Sequence, residues 1–309
     1  MSSSNTKKTS TDIEVLDLPN RPSVDYIHSI NRRRNHRVVY SDWGSDDAED
    51  VTFCVHGLTR NRHDFDMFAS EYTFRGDASK SNRRVVCPDL VGRGDSDWLE
   101  DSNNYNMLQY NLDLTVLVSR IGARKYNYVG TSLGGLMGMS LASLKDSPIK
   151  ALVINDIAPE VPYATITRLA QYIGKDPRFD DLESLEAYLR DTYAPFGPMS
   201  DINWQHMAHY SAEETEDGYR MSFDPQIVQN FRRYWVFMNV TLWRYWKRIK
   251  CPVLILRGTE SDFLSTTLAD KMLRQLPNSE LIEFEGVGHA PPLNSEEQYE
   301  PVMEWLESH

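Results

Sequence analysis

The chain has little cysteine and a deficit of positive charge. Its three cysteines, Cys54, Cys87 and Cys251, lack Cys-x-x-Cys spacing and fall in or beside predicted core strands. We interpret them as buried thiols of a reducing compartment, which predicts a cytoplasmic protein. With 33 Lys and Arg against 45 Asp and Glu, the formal net charge is -12. This charge argues against a general affinity for nucleic acid or anionic membranes.

Long apolar runs, repeats and low-complexity linkers are also missing. No stretch approaches the roughly 20 apolar residues of a transmembrane helix. The Ser/Thr/Lys-rich start has no apolar centre, so we expect a disordered tail over residues 1–20 and not a signal peptide. The 309 residues, 40% of them hydrophobic, suffice for one large α/β core. The sequence leaves the oligomeric state open.

One short motif predicts chemistry. The strand-like segment 125–129 runs into Gly130-Thr131-Ser132-Leu133-Gly134, which is followed by an Ala/Leu/Met-rich helical segment. Gly-x-Ser-x-Gly between a strand and a helix is typical of a nucleophile elbow, in which the glycines make room for a strained turn. We therefore predict Ser132 as a nucleophile.

Candidate partners for Ser132 follow later in the chain. Asp262 comes after the apolar run 253–256, and His289 comes in a turn-rich loop after the strand-like segment 281–284. A serine hydroxyl needs a neutral imidazole to take its proton, and a carboxylate must orient that imidazole. We assign His289 as the base and Asp262 as the orienting acid.

The negative charge that develops on the substrate oxygen also needs donors. The backbone N–H of Leu133, just after the nucleophile, is one predicted donor. The strand-like segment 51–55 runs into His-Gly-Leu-Thr-Arg, and we assign the second donor to the N–H of Leu58. These two amides form the predicted oxyanion hole.

Taken together, these segments resemble the α/β-hydrolase superfamily. The motifs that carry the resemblance are His-Gly-Leu-Thr-Arg, Pro-Asp-Leu-Val-Gly-Arg-Gly-Asp-Ser, Gly-Thr-Ser-Leu-Gly-Gly, Ser-Asp and Gly-His, and they cover most of the chain after about residue 35. Bacterial carboxylesterases and the related meta-cleavage-product hydrolases are the most similar groups. The resemblance also offers Asp156, after the sixth strand, as an alternative acid, but Asp262 occupies the more usual position.

Hydrophobic patterning predicts an α/β-hydrolase fold. Strand-like segments at 25–29, 37–42, 51–55, 83–87, 125–129, 150–155, 253–256 and 281–284 predict a mostly parallel, eight-stranded sheet with helices on both faces. We place the core at 21–157 and 249–309. A helical cap, inserted after strand six, is expected at 158–248, with helices at 182–189, 227–238 and 242–249.

The second half of the cap is rich in aromatic residues, most of which we expect to pack within it. These are Phe231, Tyr234, Trp235, Phe237, Trp243, Tyr245 and Trp246. We predict Trp243, close to the return into the sheet, as a wall of the substrate pocket.

Other polar groups give weaker signals. His206 and His209 would share a helical face, but a metal site needs a third ligand, and the sequence suggests none. Arg60 and Arg62 follow the oxyanion loop and are candidates for binding a substrate carboxylate. We expect no metal and no cofactor.

The combined prediction is a serine hydrolase. It would cleave carboxylic esters of small to medium acyl groups through an acyl-enzyme, with a small-molecule ester as its partner. The same triad would also serve a carbon–carbon bond hydrolase or an amidase. A ligand-binding protein on a hydrolase scaffold is the third possibility.

Overall fold

The computed structural model describes residues 15–75, 82–161, 175–228 and 241–309. Its main sheet contains β1 (Ser23–Ile30), β2 (Asn35–Gly44), β3 (Asp50–Val55), β4 (Arg83–Pro88), β5 (Tyr126–Thr131), β6 (Ile149–Asn155), β10 (Val253–Gly258) and β11 (Ser279–Phe284). Three further strands, β7 (Arg178–Phe179), β8 (Ala212–Thr215) and β9 (Gly218–Met221), belong to the cap. The order across the sheet is β1-β2-β4-β3-β5-β6-β10-β11.

The sheet is mostly parallel, as predicted. β2 pairs antiparallel with β1 and with β4, and every other neighbouring pair is parallel. All residues of β10 are buried, which explains its continuous run of apolar side chains. Because β5, β6 and β10 point the same way, the loops after them meet at one edge of the sheet.

Helices cover both faces of this sheet. The helices on the sheet are α1 (Asp66–Phe74), α2 (Met107–Ile121), α3 (Leu133–Ala142), α7 (Thr266–Gln275) and α8 (Glu296–Ser308), and those of the insertion after β6 are α4 (Leu182–Thr192), α5 (Asp201–Ser211) and α6 (Trp243–Trp246). One apolar core includes Leu117 of α2 and Met272 of α7. The other includes Phe68 of α1 and Met303 of α8. The fold is therefore that of an α/β-hydrolase, as the sequence predicted.

The insertion after β6 contains strands as well as helices. Its antiparallel sheet consists of β7 (Arg178–Phe179), β8 (Ala212–Thr215) and β9 (Gly218–Met221). The prediction of a purely helical cap missed this hairpin, whose turn at Asp217-Gly218 has Gly218 at a φ of 119°.

Of the three predicted cap helices, one is confirmed, one is shorter than predicted, and one lies mostly outside the described residues. The segment 182–189 is helical within α4, whereas only Trp243–Trp246 is helical within 242–249. Most of the predicted helix 227–238 lies outside the described residues, as do Phe231, Tyr234, Trp235 and Phe237.

The expected N-terminal tail extends too far. Asn20 donates a hydrogen bond to Thr73 Oγ1 at 2.9 Å and accepts one from Ser70 Oγ at 2.6 Å. Leu18 packs against the apolar core, so the described residues 15–20 include part of the folded surface. Within the described parts of the chain, no helix combines the length and the apolar character needed to cross a membrane.

Candidate active site

Ser132 stands at the sharp turn between β5 and α3. Its backbone has φ 51° and ψ -108°, and its N–H donates to Asn155 O at 3.0 Å. A Cβ on Gly130 would lie 2.5 Å from the carbonyl carbon of Gly134, and one on Gly134 would lie 2.1 Å from Val55 O. Both glycines are therefore required by close backbone contacts, and the elbow has the strained geometry that exposes a serine.

His289 connects Ser132 to a carboxylate. Its Nε2 lies 3.1 Å from Ser132 Oγ, and its Nδ1 donates to Asp156 Oδ2 at 2.7 Å. The carboxylate hydrogen-bonded to the imidazole is thus Asp156 and not Asp262, which corrects our assignment of the acid. Asp262 has an exposed side chain on the loop after β10.

The backbone after β6 explains why Asp156 holds this position. Asp156 is fully buried and has a φ of 54°, so it turns out of the strand directly beneath the imidazole. Its Oδ2 also accepts from Ser261 Oγ at 2.5 Å, and its Oδ1 accepts from Gly258 N–H at 3.3 Å. The last residue of β10 and the loop after it therefore supply hydrogen-bond donors to the acid rather than the acid itself.

The histidine loop is held from several sides. The Phe263 ring stacks on the His289 ring with centroids 3.6 Å apart and an interplanar angle of 17°. Gly288 N–H donates to Pro195 O of the cap at 2.7 Å, and Asn155 Nδ2 donates to Pro291 O at 2.7 Å. The imidazole is consequently oriented by stacking and by the backbone on both sides of it.

Leu133 and Leu58 lie beside the nucleophile. Leu133 is the first residue of α3, so its amide has no acceptor within the helix. Leu58, in the loop after β3, lines the same cavity as Ser132 and Leu133. Their amides are thus candidates for binding an oxyanion, and the helix terminus adds a favourable dipole.

Two buried cationic or titratable side chains fix the Leu58 loop. The neutral His56 ring donates from Nδ1 to Gly57 O at 2.7 Å and accepts at Nε2 from Leu90 N–H at 2.9 Å. Burial lowers the pKa of His56 to about 3. Arg93, also fully buried, donates from Nε to Leu58 O at 2.8 Å. Sequence reasoning had not assigned a role to either residue.

A cavity of about 310 Å³ extends from Ser132 between the sheet domain and the cap. Leu136 and Phe65 line it from the core, while Tyr193, Phe196 and Met207 line it from the cap. Its walls are thus largely apolar near a few convergent polar groups, as is usual for small-molecule sites.

Trp243 is not among the residues that line this cavity. Its Nε1 donates to Glu160 Oε2 at 2.7 Å, and Lys271 Nζ lies 4.0 Å from its ring centroid. The prediction of a pocket wall is therefore wrong for Trp243. Its helix is short and packs against the core through fully buried Trp246, which leaves Trp243 at the base of the cap.

The two candidate arginines have protein partners. Arg60 lines the cavity, but it pairs with Asp64 at 2.6 Å and donates to Ser211 Oγ at 2.8 Å. Arg62 is outside the cavity lining and pairs with Asp89 and Asp95. We therefore do not assign either guanidinium to a substrate carboxylate.

Ser132 lies at a nucleophile elbow, contacts a histidine, and stands at the edge of a mostly parallel sheet beneath a cap. This arrangement is typical of an α/β-type hydrolase. A model of the alpha/beta hydrolase family matches residues 53–302. The chain belongs to this family, and it is a hydrolase.

Proteins similar to the chain include curated and structurally solved hydrolases. The chain is 35% identical over 278 residues to a 3-hydroxybutyrate-oligomer hydrolase from Cupriavidus necator, with 87% of this chain and 92% of the relative covered. A putative hydrolase from Rickettsia typhi is 31% identical with a TM-score of 0.85, covering 93% of this chain and 99% of that one. An α/β hydrolase from Novosphingobium aromaticivorans is 29% identical with a TM-score of 0.80, covering 94% and 100%.

Proposed function

We propose that this protein is a serine esterase that cleaves carboxylic esters with small to medium acyl groups. The observation that carries the proposal is the hydrogen-bonded line from Ser132 Oγ through His289 to Asp156 at the wall of the cavity. It supports nucleophilic attack by Ser132, proton transfer through His289, and orientation of the imidazole by Asp156.

The geometry supports a two-step reaction. Ser132 Oγ forms a bond to the ester carbonyl carbon while His289 Nε2 takes its proton, and the carbonyl oxygen becomes an oxyanion facing the Leu58 and Leu133 amides. Collapse of this intermediate breaks the carbon–oxygen bond, and the alcohol leaves with the proton from His289. Water then attacks the acyl-enzyme by the same route and releases the acid. Asp156 stabilises the imidazolium in both steps.

Oligoesters of short hydroxy acids fit this site as a substrate class. The similarity to a 3-hydroxybutyrate-oligomer hydrolase supports them. The cavity volume of about 310 Å³ is at the lower end of the roughly 300–1,000 Å³ of ligand pockets, which favours short acyl units over long fatty chains. A cytoplasmic location stays a prediction, based on the three free cysteines.

Two assays test the proposal. Wild-type protein should be labelled by a fluorophosphonate probe and should hydrolyse p-nitrophenyl acetate, p-nitrophenyl butyrate and the 3-hydroxybutyrate dimer, whereas Ser132→Ala should do neither. Labelling with turnover of vinylogous diketo acids or amides, but not of esters, would support the carbon–carbon hydrolase or amidase instead. Failure of the folded wild-type protein to react with the probe would support a ligand-binding role.

A further inference from the structure

A second polar cluster lies where the cap meets the core. His63 Nδ1 donates to Asp66 Oδ2 at 2.6 Å, and His206 Nε2 of the cap helix α5 lies 3.2 Å from the same oxygen. One ligand atom from each of the three residues lies within 4.8 Å of the others. The partner of His206 in this cluster is thus His63 across the interface, rather than His209 on its own helix.

The cluster contains buried polar atoms without hydrogen bonds. Asp66 is 4% exposed and His206 is 7% exposed. Among the described residues, Asp66 Oδ1 and His206 Nδ1 have no hydrogen-bond partner, and His206 Nε2 has only its 3.2 Å contact with Asp66 Oδ2, whose angles are poor for a hydrogen bond. Buried polar groups are nearly always paired, so these atoms indicate a ligand that the protein itself does not supply.

The surroundings keep the cluster in place. The Tyr210 ring stacks on the His63 ring at 3.5 Å with an interplanar angle of 9°. Asp66 Oδ2 lies between the two histidine rings, 2.6 Å from His63 Nδ1 and 3.2 Å from His206 Nε2. The cluster thus presents a carboxylate between two imidazoles.

We propose that His63, Asp66 and His206 bind a divalent transition-metal ion of the Zn²⁺ class. Two imidazoles and one carboxylate are the nitrogen and oxygen ligands that such ions prefer, at about 2.0–2.2 Å from the metal. Binding would replace the hydrogen bond between His63 and Asp66, whose 2.6 Å separation would widen to the roughly 3.3 Å between two ligands of a tetrahedral ion, while the more distant ligand atoms would move closer. His63 and His206 also line the cavity, which gives an ion from solvent a route to the site.

Such an ion would join the cap to the core. His206 belongs to α5, whereas His63 and Asp66 belong to the segment that begins α1. A metal held by both would restrain the movement of α5 away from the sheet domain. Ser132, His289 and Asp156 are already in contact without an ion, so hydrolysis should not require it.

The test uses untagged full-length protein that has been treated with a chelator and then dialysed. Zn²⁺ binding is measured by calorimetry, Co²⁺ binding by its visible ligand-field absorption, and Tm with and without each ion. We expect one ion per chain, a metal-dependent rise in Tm, and binding at least about 100-fold weaker in His206→Gln and Asp66→Asn, because loss of outer-shell partners alone costs roughly 10–100-fold. Each variant is first shown to be folded by its metal-free circular dichroism spectrum and Tm.

Two controls separate this site from other binding. His209→Gln removes an exposed histidine from the same helix and should bind like wild type, as should Ser132→Ala. The proposal is overturned if folded wild-type protein binds neither ion at micromolar concentration. It is equally overturned if His206→Gln and Asp66→Asn bind like wild type, or if the loss follows His209→Gln instead.

Discussion

Replacing Asp156 by asparagine tests the proposed role of the carboxylate that the sequence analysis ranked second to Asp262. The wild-type carboxylate accepts hydrogen bonds from His289 Nδ1 and Ser261 Oγ at Oδ2 and from Gly258 N–H at Oδ1. An amide cannot satisfy all three donors. If its oxygen faces His289, its NH₂ opposes the Gly258 N–H, and if it is flipped, the NH₂ forces the imidazole into the tautomer that cannot deprotonate Ser132.

Either orientation also removes the negative charge that stabilises the imidazolium. We therefore expect Asp156→Asn to lower kcat/KM for p-nitrophenyl butyrate by roughly 10³- to 10⁴-fold, which corresponds to about 4 to 5.5 kcal/mol of transition-state stabilisation. Initial rates measured at one pH, divided by the protein concentration from absorbance, give this ratio. Circular dichroism and Tm show whether the variant keeps its fold.

The matched control is Asp262→Asn, in which an exposed carboxylate next to the same loop is changed in the same way. We expect its kcat/KM to remain within about twofold of wild type, since surface substitutions usually change little. If Asp262→Asn shows the large loss and Asp156→Asn is nearly as active as wild type, the inference from the hydrogen-bond geometry is refuted.

Three further predictions concern the pocket, the elbow and the oxyanion loop. Met207 lines the cavity, so Met207→Ala should raise kcat/KM on hexanoate esters relative to butyrate esters, by roughly fourfold for each extra methylene buried at about 0.8 kcal/mol each. Trp243→Ala should leave the chain-length profile unchanged. Equal profiles for wild type and Met207→Ala would contradict this prediction. Gly134→Ala should lower Tm by several degrees or prevent folding, because its Cβ would lie 2.1 Å from a backbone oxygen, and a wild-type Tm would show that this contact relaxes freely. The pKa of His56 is about 3 in the folded protein and about 6.5 in the unfolded chain, so between these pH values the His56 ring is protonated only when the protein unfolds. The free energy of unfolding should therefore decrease as the pH falls through this range. Denaturant titrations of wild type and His56→Gln should differ in slope by at most about 1.4 kcal/mol per pH unit there, and identical slopes would exclude His56 as the source.

Local patterns were enough to predict the sheet and the elbow. The elbow depends on glycines two residues either side of Ser132, and each strand shows its burial in its own apolar run. The eight strands therefore appeared at the predicted positions, with ends that differ by at most two residues. Both features arise from short-range sequence that dictates backbone conformation.

Long-range placement could not be predicted in the same way. The sequence offered both Asp156 and Asp262, and the choice depends on the positive φ that turns Asp156 beneath His289. Trp243 was selected because its segment is rich in aromatic residues, but composition does not show which face of a short helix packs on the core. The contact of His206 with His63 joins distant parts of the chain, so a local i, i+3 pattern suggested the wrong partner.

Backbone strain in this molecule is concentrated where the reacting groups lie. Among the described residues, the non-glycine positions with positive φ are Ser132, Asp156, Ala290 and Leu293. The first two belong to the proposed catalytic triad, and the other two follow His289 closely. Each costs about 1–3 kcal/mol. Substitutions that relax these turns would therefore raise the melting temperature but lower the catalytic activity. Substitutions that improve helix ends or fill gaps far from the elbow would raise the melting temperature and leave the reacting geometry intact.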